Sequence, residues 1–181
     1  MLVEFRGKRP KVAESAFVAP TAVLIGDVTV EDGASIWYGA VLRADFGPIM
    51  VGRGANIQDN VVCHVDGVHP TIVGEDATVG HSAVLEACTV ERGALVGMKA
   101  VVMIGAVVGE EAMVAAGAVI PEGMQVPSHH LVAGVPAVVK KELAGRSLEW
   151  VRMAASDYQE LSQEYLAAGL GDVPKGHENS E

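Results

Sequence analysis

Three polar residues have side chains of the types that bind metal ions in proteins. His64 and His81 offer imidazole nitrogens and Glu86 offers carboxylate oxygens, a donor set suited to zinc and related ions. They are separated along the chain, so the fold decides whether they can meet. The pattern of the apolar residues around them therefore has to be examined first.

The apolar residues follow a six-residue period, which matches neither a helix nor an extended strand. Large aliphatic residues recur in four series, and a small residue, mostly alanine, stands four positions after each. This pattern is typical of hexapeptide repeats, in which short strands and corners wind into a coil. The large positions are Val12, Val18, Leu24, Val30, Ile36, Leu42, Val51, Ile57, Cys63, Val73, Val79, Leu85, Val90, Val96, Val102, Val108, Val114 and Ile120.

Three hexads make one three-sided coil of about eighteen residues, and successive coils stack at the inter-strand spacing of about 4.8 Å. The sequence thus predicts an all-β fold, a parallel β-helix of hexapeptide repeats over residues 12–136, after an N-terminal lead-in at residues 1–11. Similarity to known hexapeptide-repeat proteins implies that the coil is left-handed. The strict repeat is expected to end at Pro121.

The period changes near the C-terminus. Apolar residues at three- and four-residue steps predict an amphipathic α-helix, capped by Ser147 and ended by Gly169, that lies along one face of the prism. It belongs to a helical segment predicted at residues 137–171. Residues 172–181 are polar and are predicted to form a flexible tail. The apolar positions are Leu148, Val151, Ala155, Tyr158, Leu161 and Tyr165.

The lattice is interrupted at three places, and each interruption follows the third face of a coil. Arg43, His64 and Glu86 stand beside these breaks, each one residue after an inward-pointing position. They are therefore predicted to point outward and to form a column with one residue per coil. Neighbours in such a column lie about 4.8 Å apart, so His64 and Glu86 can share one metal ion.

His81 lies on the second face, two residues after an inward valine. A corner separates it from the column of its own chain, but it can reach the column of a neighbouring chain around a three-fold axis. A cyclic trimer repeats the same interface three times. The hypothesis is a site with two ligands from one subunit, His64 and Glu86, and one from the next, His81.

Simpler interpretations exist for several of these residues. A lone surface histidine is usually solvated, and Arg43 with Asp45 can form a surface ion pair of little energetic value. Gln58 and Asp59 can cap a corner of the coil. The position of all three breaks on one face favours the metal hypothesis for the column.

Composition restricts the partners. The 181 residues carry a net charge of −10, which argues against binding to nucleic acid or an anionic membrane surface. The N-terminus lacks the apolar core of a signal peptide, and no apolar run is long enough to span a bilayer. Two cysteines without a disulfide spacing favour a reducing, cytoplasmic location. Trp37 and Tyr38 are expected to pack at a subunit interface.

At the residues of the column and around His81, the sequence resembles the γ-class carbonic anhydrase family, over roughly residues 10–140. This resemblance implies a homotrimer of left-handed β-helices with one Zn²⁺ or Fe²⁺ ion at each subunit interface. It implies an enzyme, a lyase that hydrates CO₂ reversibly to bicarbonate through a metal-bound hydroxide. The matching stretches are Ala40–Asp45, Asn56–His64, Thr78–His81 and Leu95–Met98.

The resemblance also assigns roles to single residues. His64 and His81 match two of the family's three metal ligands. Arg43 and Asp45 match the pair that stabilises the interface, and Gln58 matches the glutamine that positions bound water or bicarbonate. Independently of the resemblance, Asp59 is expected to have a structural or interface role next to Gln58.

Glu86 departs from the family, because it stands where the third histidine is expected. Two histidines and one carboxylate form an established zinc set, but an anionic ligand leaves the bound water less acidic. Weakened CO₂ hydration is therefore expected. The loop after His64 lacks the glutamates of the family's proton shuttle, and His69 and His130 are possible auxiliary groups.

Two other functions remain open. Residues 133–137 resemble the end of hexapeptide acyltransferases, which makes an acyltransferase or an acyl-CoA thioesterase an alternative. No long inserted loop with a catalytic histidine accompanies this similarity. The replacement of a metal ligand by Glu86 also fits a non-catalytic assembly subunit.

Overall fold

The computed structural model describes residues 1–171, and the tail predicted at residues 172–181 lies outside the described residues. The chain forms a left-handed parallel β-helix of short strands followed by one helix, as predicted. The strands are β1 (Leu2–Val3), β2 (Lys11–Val12), β3 (Phe17–Val18), β4 (Val23–Val30), β5 (Ser35–Ile36), β6 (Val41–Val51), β7 (Asn56–Ile57), β8 (Val62–His64), β9 (Thr71–Val73), β10 (Thr78–Val79), β11 (Val84–Glu86), β12 (Thr89–Val90), β13 (Leu95–Val96), β14 (Val101–Val102), β15 (Val107–Val108), β16 (Met113–Val114), β17 (Val119–Ile120), β18 (Gln125–Val126), β19 (His130–Gly134) and β20 (Ala137–Glu142), and the helix is α1 (Arg146–Ala167).

The strands stack on three faces. The first face contains β2, the ends of β4 and β6, and β9, β12, β15 and β18. The second contains β3, β5, β7, β10, β13, β16 and β19, and the third contains the starts of β4 and β6 followed by β8, β11, β14 and β17. Because each coil repeats the same turns, equivalent residues of successive coils lie directly above one another.

The interior of the prism is filled by the predicted lattice. All of the large aliphatic positions except Val12 are buried, and Cys63 takes one of these positions. The alanines at the second position of the hexads are buried as well. Small and large side chains alternate toward a narrow axis, which gives a close-packed core with few aromatic residues.

The repeat continues past Pro121, so the expected end at this residue was wrong. Val126 and Val132 keep the six-residue spacing and are buried, and β18 and β19 stack on β15 and β16. Pro121 follows β17, the last strand of the third face, so the N–H that proline lacks has no further coil to donate to, whereas the equivalent N–H of Met103 donates to the carbonyl of Ile120.

The C-terminal segment is not helical throughout. Residues 137–142 form β20, which pairs antiparallel with β19, so the helical segment predicted from residue 137 starts later. The helix α1 begins at Arg146, and the Ser147 hydroxyl donates to the carbonyl of Ala144. Ser147 is therefore not the N-cap. Within residues 1–171, no helix combines the length and apolar composition needed to cross a membrane.

The helix α1 packs on the second face through an aromatic cluster. Trp37 contacts Phe17, Tyr158 and Tyr165, with ring centroids 4.9, 5.4 and 5.1 Å apart. Only 3% of Trp37 is exposed, so its predicted place at a subunit interface was wrong: the chain's own helix covers it. The predicted apolar stripe also shifts, since Ser162 is buried and Leu161 is not.

The close stacking of coils makes certain glycines irreplaceable. A Cβ atom on Gly97 would lie 2.6 Å from the backbone nitrogen of Ala116 and the backbone oxygen of Val114. Backbone atoms of the next coil cannot move aside without breaking the ladder. We expect Gly97→Ala to lower the free energy of unfolding by about 1–3 kcal/mol, measured by denaturant titration at fixed protein concentration.

Gly67 provides the matched control. A Cβ atom there meets nothing within 4 Å, so Gly67→Ala is expected to change the free energy of unfolding by less than about 0.5 kcal/mol. Equal losses for the two variants would contradict this account of coil stacking.

Candidate metal centre

The predicted column on the third face is confirmed. Arg43 on β6 pairs in register with His64 on β8, which pairs with Glu86 on β11. Each residue follows a buried lattice residue, so its side chain faces outward. The side chains of His64 and Glu86 are 17% and 29% exposed, which leaves them accessible at the surface of the prism.

The column residues form a chain of polar contacts with Asp45. The His64 ring contacts Glu86 through Nδ1 at 2.9 Å and Asp45 through Nε2 at 3.0 Å, and Arg43 donates to the other Asp45 oxygen. A neutral imidazole carries one N–H and can donate to only one carboxylate at a time. The second ring nitrogen is then available for another partner.

Asp45 is held in its charged form. Burial raises its pKa, but hydrogen bonds from His64 and Arg43, together with the Arg43 charge, outweigh this effect and leave the pKa below its usual value. Asp45 is therefore a permanent acceptor that orients the His64 ring. Arg43 balances its charge, which agrees with the pairing predicted from sequence.

His81 lies away from this column, on the second face after β10. Its Nδ1 atom is 2.8 Å from Oδ2 of Asp59, and its Nε2 atom is 3.3 Å from the hydroxyl of Tyr158. Because an ionised carboxylate only accepts, Nδ1 carries the proton and Nε2 accepts from Tyr158. Within residues 1–171 of a single chain, no three His, Cys, Asp or Glu side chains are grouped closely enough to hold a metal ion.

Gln58 belongs to the His81 half of the site. Its side chain is almost fully buried. Its Oε1 accepts the backbone N–H of His81 at 3.1 Å, and its Nε2 donates to Asn56 at 3.1 Å. The amide is thus fixed by hydrogen bonds at both ends and supports the turn that carries His81.

Asp59 has both a structural and an orienting contact. One oxygen accepts the backbone N–H of Tyr38 at 3.2 Å, which joins two coils at a corner. The other faces Nδ1 of His81. A carboxylate on the far nitrogen of a histidine fixes its tautomer and presents the remaining nitrogen, an arrangement common behind metal ligands.

The two auxiliary histidines lie outside both halves of the site. His69 contacts Asp66 of its own loop at 3.0 Å, and hydrogen bonds from the His69 backbone and ring and from the Val68 backbone lower the pKa of Asp66 to about 2. His130 contacts the carbonyl of Ser128 at 2.8 Å. Within residues 1–171, no hydrogen bond or ion pair joins either of them to His64 or His81.

Tyr158 is a site residue that sequence analysis missed. The helical pattern places it on the apolar face of α1 but gives no indication that its hydroxyl meets a histidine 77 positions earlier. Burial, and secondly the charge of Asp59, raise the pKa of Tyr158. Its hydroxyl therefore stays protonated and acts as a donor.

The cysteines take no part in this site. Burial raises the pKa of Cys88 to about 12, and burial raises that of Cys63 as well. Both stay as thiols at neutral pH, whereas metal binding requires the thiolate. Their role is to fill the interior.

Known proteins resemble the chain over most of its length. It is 44% identical to gamma carbonic anhydrase 1, mitochondrial, of Arabidopsis thaliana over 166 residues, which cover 88% of the chain and 60% of that protein. The chain thus spans about 60% of the length of this relative. No family model matches the chain.

Two prokaryotic relatives match over most of their own length. A Methanocaldococcus jannaschii protein named as a probable carbonic anhydrase is 45% identical over 152 residues, covering 84% of the chain and 96% of that protein. The carnitine operon protein CaiE of Escherichia coli is 44% identical over 157 residues, covering 87% and 80%.

Solved structures resemble the whole fold. A Bacillus cereus protein provisionally described as an acetyltransferase superposes with a TM-score of 0.91 at 34% identity, covering 93% of the chain and 98% of that protein. A hexapeptide transferase family protein from Anaplasma phagocytophilum gives 0.88 at 42% identity, covering 91% and 98%.

The position of Tyr158 depends on how α1 is attached. The side-chain nitrogen of Gln159 donates to the carbonyl of Gly54 at 3.0 Å and to Asp76 at 2.8 Å. We expect Gln159→Ala to lower the free energy of unfolding by about 1–2 kcal/mol, since two partly buried acceptors lose their donor. Hydrogen exchange of the α1 amides should accelerate in parallel.

Gln163 on the same helix is exposed, and it serves as the matched control. Gln163→Ala is expected to leave both measurements unchanged. A Gln159→Ala variant with the same unfolding curve as the Gln163→Ala variant would show that these hydrogen bonds do not hold the helix.

Proposed function

Because the chain belongs to the γ-class carbonic anhydrase family, we propose that it hydrates CO₂ reversibly to bicarbonate with a metal ion bound between subunits. The observation that carries this proposal is the arrangement of the histidines. His64 stands beside Glu86 on one face, and His81 on another face has its Nδ1 committed to Asp59. Each half is incomplete within one chain, and the two halves are complementary.

The donor set fits a zinc or iron ion. Two imidazole nitrogens and one carboxylate form a recognised catalytic set, and each proposed histidine ligand already has a carboxylate behind it. In this arrangement Asp45 orients His64, while Asp59 orients His81. When bound, the ion supplies a polarised, more acidic water for attack on CO₂.

The residues of the chain have separate tasks in this proposal. Glu86 would hold the ion together with His64 and His81, and Arg43 keeps Asp45 charged. Gln58 holds the His81 turn through its amide oxygen, and it is the residue proposed to position the substrate bicarbonate. Nε2 of His81 would bind the ion in place of the Tyr158 hydroxyl, which would free that hydroxyl to donate to a group beside the site.

Glu86 adjusts the chemistry of the site. An anionic ligand donates charge to the ion and raises the pKa of the bound water relative to a site with three neutral histidines. Catalysis at neutral pH would therefore be weaker than at a site with three histidines. The carboxylate also shifts the preference of the site toward harder ions. Fe²⁺ is therefore a candidate for the native metal, as is Zn²⁺.

The proposed assembly is a homotrimer, because a three-fold axis repeats one interface and gives three equivalent sites. A CO₂ or bicarbonate substrate requires no further partner. The buried free thiols of Cys63 and Cys88 support a reducing compartment such as the cytoplasm.

Acyl transfer is the second candidate function, and it is favoured by the transferase descriptions of the two solved structures with the same fold. An acyl-CoA thioesterase belongs to the same alternative. A panel of short acyl-CoA compounds, assayed for transfer and hydrolysis, tests both. A purified trimer without bound metal and without either activity would favour a non-catalytic assembly subunit.

A mixing experiment tests whether the site is shared between subunits. His64→Ala and His81→Ala are each expected to lose the metal, measured by elemental analysis. Trimers assembled from an equal mixture of the two variants should recover about one quarter of the sites, since half of the third faces and half of the second faces are intact and they pair at random.

A site built within one chain gives a different result. No mixed trimer could then contain an intact site, so the metal content would stay at the level of the single variants. Light scattering of the same samples checks that both variants and their mixture remain trimers.

Glu86→His is expected to raise kcat/KM for CO₂ hydration at neutral pH, because a neutral ligand makes the bound water more acidic. The pH–rate profile should shift toward lower pH in the same variant. Stopped-flow measurement with equal metal loading checks both effects. Glu86→Gln is the control for loss of the carboxylate, and it should bind metal more weakly.

An unchanged rate and an unchanged pH profile for Glu86→His at full metal loading would contradict the assigned role of Glu86. The metal content measured beside the rate separates a change in chemistry from a change in occupancy.

A further inference from the structure

A cavity of about 560 Å³ lies between the second face and the N-terminal half of α1, and it reaches His81. This volume lies in the range of small-molecule binding sites, and a three-atom substrate such as CO₂ needs far less. The apolar walls are formed mainly by Leu95, Met98, Met113, Leu131, Trp150 and Ala154.

The cavity exists because α1 approaches the solenoid unevenly. Its C-terminal half packs closely on the second face through the aromatic cluster around Trp37. Its N-terminal half is held by Arg152, which contacts the largely buried Glu111 at 2.8 Å. The same half packs through Val151 against Leu95 and Leu143, and the cavity lies beside these contacts.

The polar groups of the cavity are concentrated at one end. His81, Gln58 and Tyr158 line that end, and Asp157 lies at the exposed surface of the helix. No lysine or arginine is among the residues that line the cavity in the described part of the chain. The Tyr158 hydroxyl lies 3.3 Å from Nε2 of His81, and its one O–H can turn from that long contact to a ligand, so this end offers a hydrogen bond without a fixed positive charge.

We propose that this cavity binds a neutral carbonyl compound with an apolar chain or ring, such as an ester or thioester. The carbonyl oxygen replaces Nε2 of His81 as the acceptor of the Tyr158 hydroxyl, and the apolar group lies between β13, β16 and α1. The charge pattern favours a neutral ligand over an anion, since Asp157 repels and no lining cation attracts. The proposal goes beyond CO₂ hydration and does not require the metal, because one chain supplies all the walls.

A series of methyl esters tests the proposal on the assembled protein. Methyl acetate, methyl butanoate and methyl hexanoate are titrated by calorimetry, and the fluorescence of the exposed Trp150 is followed in the same samples in a Trp37→Phe background. Affinity should increase about fourfold for each added methylene, the factor expected when a methylene is fully buried. Hexanoate, the matched anion, should bind metal-free protein at least about tenfold more weakly than methyl hexanoate.

Variants locate the binding site. Ala154→Leu fills the cavity and should weaken methyl hexanoate binding at least about tenfold, whereas Ala167→Leu, at an exposed position of the same helix, should not. Tyr158→Phe should weaken every ester by a similar factor and leave the gain per methylene unchanged. Thermal unfolding checks the fold, and Met98→Ala at the exposed rim gives a second test if Ala154→Leu does not fold.

The metal site is tested separately. His64→Ala removes a proposed metal ligand on the third face and should bind methyl hexanoate like the wild type. If the mixed trimers recover no metal, the shared metal site is overturned, and the proposed ligand site in the cavity is unaffected. Absence of ester binding to the assembled protein, including the case in which a neighbouring subunit fills the cavity, would overturn the present proposal. Equal affinity for all chain lengths would overturn it as well.

Discussion

The vertical register of the parallel strands is the constraint on which the rest of the structure depends. Backbone hydrogen bonds join each coil to the next, so a residue in one coil has a fixed neighbour above and below. This register places His64 beside Glu86 and keeps Arg43 in the same column. It also stacks the glycines so closely that one Cβ atom would reach the next backbone.

Much of the fold and one half of the candidate site could be predicted from the sequence. The six-residue period specifies which side chains point inward, and counting from it places Arg43, His64 and Glu86 in one outward column. The same reasoning failed at Pro121, because a proline after the last strand of the third face breaks no hydrogen bond to a further coil, while the valines beyond it continue the lattice on the other two faces. Local pattern describes the coil well since each coil contacts mainly its neighbours.

The other half of the site depends on contacts that no local pattern contains. Tyr158 meets His81 only because α1 folds back over the second face, and the same helix buries Trp37. The helical period predicts the apolar stripe of α1. It does not predict which coils the helix packs against, or the cavity between its N-terminal half and the second face. The sequence therefore indicates which side chains can donate or accept hydrogen bonds. The packing of α1 against the second face decides which of these side chains contact each other.

The reversal of the last strand affects how whole molecules can associate. A β-helix that ended on an open parallel edge would offer its backbone N–H and C=O groups to another molecule, a route to fibrous growth. On the second face β20 runs against β19 and carries Lys140, Lys141 and Glu142 as exposed side chains. A second molecule arriving end-on at this face therefore meets a charged strand of opposite direction. Lengthwise polymerisation is discouraged there, while the sides of the prism remain free for closed, rotationally symmetric assembly.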